Sequence, residues 1–110
     1  MKTLTEVKEI LSQCKPIVQE KYKVRELGIF GSYLRGEQTE KSDVDVLVDF
    51  EPEFRFGLFT FCELEEYLSE VIGVKVDLVM KQGLKPRIGK RILSEVVYLW
   101  IKGSRVSDLR

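Results

Sequence analysis

Gly28-Ile29-Phe30-Gly31-Ser32-Tyr33-Leu34-Arg35-Gly36, followed after a polar loop by Ser42-Asp43-Val44-Asp45-Val46-Leu47-Val48, is the stretch whose reading decides the fold. Val24 to Phe30 has the branched and apolar content of a strand, and Gly31-Ser32 breaks it. Tyr33-Leu34-Arg35 is enough for one helical turn, Gly36 opens a polar loop to Ser42, and Asp43 to Phe50 reads as the next strand. Side chains alternate across a strand, so Asp43 and Asp45 project from one face. Two neighbouring carboxylates repel, and a fold that keeps such a pair gains from a cation between them; Mg²⁺ is the usual hard, oxygen-loving partner where phosphates are also bound. Gly31-Ser32 supplies the phosphate half: glycine admits backbone N–H groups close to an anion, the following turn aims more of them, and the Ser32 hydroxyl adds a donor. Arg35, one turn on, reaches the same oxygens. A Gly-Ser break or an Asp-x-Asp strand edge is ordinary taken singly; their combination is not.

Outward from this stretch, Leu4, Val7, Leu11, Cys14 and Val18 recur at helical spacing, and Thr3 with Glu6 forms a capping box. Pro16 fits the first turn of a helix and not its interior, which predicts one helix ending near Cys14 and a short second one from Pro16 to Lys21. Leu58, Phe61, Cys62, Leu64, Leu68 and Val71 define the apolar face of a helix whose other face carries Glu63, Glu65, Glu66 and Glu70, with Gly73 as its stop. Val74 to Met80 alternates as a third strand, Lys85 to Leu93 is a helix begun by Pro86, and Val96 to Ile101 is a last short strand. The expected fold is α/β (α+β), a small mixed sheet of three to four strands packed with helices, in one domain spanning residues 1–110.

Composition narrows the chemistry. The 110 residues are 44% hydrophobic and 33% charged, the profile of a soluble globular protein, without low-complexity tracts or internal repeats. The first twelve residues lack the apolar run of a signal peptide and no later segment is long and apolar enough to span a bilayer, so the expected location is cytoplasmic. The two cysteines, Cys14 and Cys62, fall on apolar helix faces and read as buried free thiols. Histidine is absent, which removes Ser-His-Asp hydrolysis, Cys-His proteolysis and His-based zinc sites. Zero net charge hides a block pattern: residues 37–79 carry 3 basic and 12 acidic side chains, residues 81–110 carry 8 basic and 2 acidic. The acidic middle contains the aspartates and attracts cations; the basic tail reads first as a solvated face.

Gly31-Ser32, ten intervening residues and Asp43-x-Asp45 together resemble the signature of the polymerase-β-type nucleotidyltransferase superfamily. Phe-Gly-Ser-Tyr-Leu-Arg-Gly and Ser-Asp-Val-Asp-Val-Leu-Val most resemble its smallest branch, the minimal nucleotidyltransferase (MNT) domains. Val74-Lys-Val-Asp-Leu-Val79 and Leu84-Lys-Pro-Arg-Ile88 look like their later parts, so the similarity covers most of the chain. The resemblance implies that Asp77 is the third carboxylate, joining Asp43 and Asp45 in binding one or two Mg²⁺ ions and in catalysis. It implies further that Gly31, Ser32 and Arg35 hold the phosphates of ATP. MNT domains of this size resemble the antitoxin of a two-gene system whose partner is a HEPN-domain ribonuclease toxin, which implies adenylylation of a toxin tyrosine.

Other readings stay open beside this one. Asp49 shares strand parity with Asp43 and Asp45 but lies at the strand end and matches no motif position. A binding module with a vestigial nucleotide site is a second possibility. A small-molecule or RNA nucleotidyltransferase is a third, drawing on Lys81, Lys85, Arg87, Lys90 and Arg91. Phe54, Phe56, Phe59 and Tyr98 are candidates for a partner surface, with core packing the commoner fate of such residues.

Overall fold

The computed structural model describes residues 2–55 and 57–101. Helix α1 runs Leu4–Lys21, opened by the expected capping box: the Thr3 hydroxyl accepts from the Glu6 N–H at 3.2 Å, and the Glu6 carboxylate accepts from the Thr3 N–H at 3.1 Å. It continues unbroken through Pro16, contrary to the two-helix reading. Ser12 and Pro16 are both exposed, so the carbonyl that loses its donor is on the wet side, while Val7, Leu11, Cys14 and Val18 keep one buried stripe across the proline. Burial of that stripe, at about 1.5–3 kcal/mol per large side chain, offsets the roughly 3 kcal/mol penalty of an interior proline.

Strand β1 is Val24–Phe30, the turn α2 is Ser32–Arg35, and strand β2 is Val44–Phe50, with Asp43 just ahead of its first residue. Helix α3, Leu58–Ile72, buries the narrow seam Leu64, Leu68 and Ile72. The wider apolar face expected from sequence includes Leu58 and Cys62, which are exposed; the thiol of Cys62 is therefore not a core group, whereas Cys14 is buried. Gly73 ends α3 in the left-handed conformation at φ 79°. Strand β3, Val76–Met80, leads through a short 3₁₀ turn, Lys81–Gly83, to helix α4, Pro86–Glu95, and then to strand β4, Val97–Ile101.

The four strands form a mixed sheet in the order β3-β2-β1-β4. β1 pairs antiparallel with β2 and β4, whereas β2 and β3 run parallel, joined through α3. One face, carrying Leu27, Ile29, Val44, Val46, Val48, Val76 and Leu78, packs with α1 and α3 into the main core. The opposite face carries a smaller apolar cluster of Phe30, Leu47 and Ile92, joined by Val79, Leu84 and Val96, with α4 as its cover. Gly28 lets β4 close on this side, since a Cβ there would meet Val96 Cγ2 at 2.6 Å. α4 covers only part of this second face, and the uncovered part is where the acidic residues stand.

Candidate active site

Parallel pairing fixes the central relationship. Asp45 on β2 is directly opposite Asp77 on β3, and on its other side Asp45 is opposite Phe30 at the end of β1. Residues directly paired in a sheet point to the same face. Phe30, Asp45 and Asp77 therefore form one row across three strands, at the end of the sheet where β1 runs into the Gly31 turn. Asp43, two residues before Asp45, is half-buried at the entrance to β2. Its loop is closed by the Ser42 hydroxyl, which accepts from the Thr39 N–H at 2.9 Å, and by the Ser42 N–H donating to the Thr39 carbonyl at 3.0 Å.

Gly31 caps α2 at φ 80°, and a Cβ built there would fall 1.9 Å from Asp45 Oδ2. Only glycine allows this backbone to pass so close to the carboxylate. Ser32 follows at the first position of the turn, whose leading N–H groups have no intrahelical acceptor. The turn is closed by Arg35 N–H to Gly31 O at 3.1 Å and Glu37 N–H to Ser32 O at 2.9 Å.

Arg35 is already engaged. Its Nε donates to Glu37 at 2.6 Å and its Nη1 to Glu95 at the end of α4, so the guanidinium ties the Gly31 turn to that helix. Sequence reasoning missed Glu95: its partner is sixty residues away, and no local pattern marks it.

Burial, and then the negative charges of Asp77 and Asp43, lift the Asp45 carboxyl from 3.8 to about 6; Arg35 pulls the other way and Glu95 adds a smaller push. The three aspartates thus share one electrostatic environment. Among the described residues no three acidic or sulfur side chains are drawn together closely enough to grip a metal ion, so the trio is coupled by charge and has not closed into a cage. The donor set nonetheless fits a hard divalent cation: it is all carboxylate oxygen, and the repulsion that raises Asp45 is relieved by positive charge at that spot.

Asp49 belongs elsewhere. It pairs in register with Glu26, and its pKa is raised by burial and by Glu26, whose carboxylate accepts from Lys81 Nζ at 3.0 Å. This second cluster shares the Asp45 face but stands two rows away, beside Tyr98, over whose ring Lys81 Nζ lies 5.2 Å from the centroid. Phe54 and Tyr98 are half-buried, while Phe59 is exposed at the start of α3; Phe56 and the basic residues Lys102, Arg105 and Arg110 lie outside the described residues. Lys85, Arg87, Lys90 and Arg91 are exposed on and ahead of α4.

Two cavities lie between the Gly31 turn and α4, and the first also reaches Phe30 of the row. One, of about 180 Å³, is lined by Phe30, Gly31, Arg35, Ile88, Arg91, Ile92 and Glu95. The other is lined by Arg35, Glu37, Arg91, Ser94 and Glu95.

Comparison with known proteins identifies the family and the fold. Residues 11–99 match the family described as nucleotidyltransferase domain. The protein adenylyltransferase MntA of Thermococcus cleftensis is 54% identical over 99 residues, covering 90% of this chain and 98% of its own length. A solved structure described as a minimal nucleotidyltransferase superposes with a TM-score of 0.67 at 32% identity, covering 87% of this chain and 95% of that one. The MNT antitoxin fold also recurs in the complex with a tri-AMPylated HEPN toxin of Shewanella oneidensis, at TM-score 0.63 and 18% identity over 92% of this chain and 76% of that one. At that identity the likeness concerns the fold alone.

Proposed function

The chain belongs to the nucleotidyltransferase domain family, and from that premise we propose that it transfers AMP from ATP, with Mg²⁺, to a tyrosine hydroxyl of a HEPN-domain toxin, acting in the cytoplasm as an antitoxin. The observation that carries the reading is the row Asp77–Asp45 running up to the Gly31 turn. It sets an anionic cation site beside a backbone built to approach an anion. The name of the 54% identical relative supports protein adenylylation as the reaction class, and the antitoxin complexes of the same fold support the partner.

Asp43, Asp45 and Asp77 are the residues that would hold Mg²⁺, which when bound neutralises phosphate charge and orients the triphosphate. Gly31 and Ser32 hold the terminal phosphates through backbone N–H groups and the Ser32 hydroxyl. Asp77, exposed on the outer strand of the row, is the carboxylate an incoming acceptor meets first, and it takes the hydroxyl proton. The acceptor oxygen then bonds to the α-phosphorus as the bond to the bridging oxygen breaks, and pyrophosphate leaves with the electron pair. Arg35 fixes the turn against α4 through Glu95.

Incubation with ATP labelled at the α-phosphate, Mg²⁺ and the product of the adjacent gene tests the reading. Label should pass to the partner, and Asp43→Ala or Asp45→Ala should reduce transfer by at least a hundredfold while the circular dichroism spectrum is kept. An unlabelled partner, or undiminished transfer by either variant, contradicts it.

A further inference from the structure

We infer that Arg91 on α4 is a polyphosphate-binding residue that grips the β- and γ-phosphates of the nucleotide. This assignment rests on the nucleotide-transfer reading above and adds to it a residue from outside the Gly-Ser and aspartate motifs.

Arg35 is the basic residue nearest the Gly31 turn in sequence. Its charge is compensated by Glu37 and Glu95 together, so it offers an incoming anion little net attraction. Mg²⁺ neutralises only part of a triphosphate's charge, which leaves a place for a side-chain cation at the turn. Pyrophosphate leaves with growing negative charge, and phosphoryl transfer depends on neutralising it.

Arg91 is placed to supply that charge. It lines both cavities, as the Arg35–Glu95 pair does: one reaches Phe30 of the row and Gly31 of the turn, and the other lies farther out against Glu37 and Ser94. The ion pairs among the described residues join Lys21 to Glu63, Arg35 to Glu37 and Glu95, and Lys81 to Glu26; Arg91 takes part in none of them. The acid one turn ahead of it, Glu95, is bonded to Arg35. One turn behind, Arg87 is a like charge, which raises the positive potential around Arg91. Arg87, Lys90 and Lys85 line neither cavity, and this sets Arg91 apart from the rest of the basic set. The walls made by Phe30, Ile88 and Ile92 are apolar, and a charge interaction beside them is less screened than in open water. A guanidinium also matches phosphate oxygens with two parallel hydrogen bonds, which a lysine at the same place cannot do.

Calorimetry on the full chain with Mg²⁺ present reads this directly, using ATP, inorganic tripolyphosphate and AMP as probes. Arg91→Ala, an exposed helix substitution, should weaken ATP and tripolyphosphate by tenfold or more and AMP by less than twofold, with Arg91→Lys in between. A loss of less than threefold for ATP, or an equal loss for AMP, overturns the role of Arg91 and leaves the proposed function standing. Failure of the unsubstituted protein to bind any of the probes removes the proposed function and this inference together.

Discussion

Asp45 feels the negative charge of both neighbouring aspartates. Its carboxyl is raised to about 6 by burial and by Asp77 and Asp43, and the unfolded chain titrates near the ordinary 3.8. Between these values the folded protein binds more protons than the unfolded one. Stability contributed at this position therefore falls as pH rises through the window, and the full cost is present above about 6. Asp45→Asn should raise the melting temperature of the metal-free protein at pH 7.5, on the order of 4 °C, and change it far less near pH 3.5, where the folded carboxyl is protonated and the unfolded one mostly so. A melting temperature at pH 7.5 equal to or below that of the unsubstituted chain contradicts the claim that three like charges are held together there. Much of this was legible beforehand. Asp43 and Asp45 are two apart on a strand and Gly31-Ser32 precedes them by a fixed loop, so local spacing carries the information. Arg35 was legible as a cation and illegible as an occupied one, because Glu95 reaches it only through the tertiary position of α4.

The elements explain why Asp77 faces Asp45. β3 is an outer strand, and its outward N–H groups on either side of Asp77 are taken by α3: Val76 N–H donates to Ser69 Oγ at 2.9 Å and Leu78 N–H to Glu65 Oε2 at 2.9 Å. Ser69 Oγ in turn donates to the Glu65 carbonyl at 2.8 Å. These bonds blunt the sheet edge and hold the register that sets Asp77 beside Asp45. Glu65→Ala should cost on the order of 1–2 kcal/mol in urea unfolding and speed hydrogen exchange at the Leu78 amide, with Glu65→Gln close to the original. Unchanged exchange at Leu78 in the alanine variant would show that the strand is held some other way. From periodicity alone Glu65 reads as one of four solvated acids on the polar face of α3, and Cys62 as a core thiol; the stripe drawn from sequence was rotated and too wide. The strands came out more faithfully, since alternation fixes their faces. Pro16 was misjudged for the opposite reason: the local penalty was known, while the burial that outweighs it is a property of the assembled core.

Across the whole molecule, the uneven charge along the chain becomes a spatial arrangement. The aspartate row stands on the open part of one sheet face, and α4, basic except for Glu95, lies beside it over the rest of that face. A site with negative side chains where a cation binds and positive ones beside it suits a metal-bound triphosphate better than it suits a bare anion or a bare cation. Mn²⁺ replaces Mg²⁺ in such all-oxygen sites and is visible by electron paramagnetic resonance, so its binding in the presence of ATP measures the central claim. The unsubstituted chain should bind Mn²⁺ saturably when ATP is present, and Asp45→Asn and Asp77→Asn should each weaken that binding by tenfold or more; binding retained in full by both variants would contradict the convergence of these aspartates on one cation.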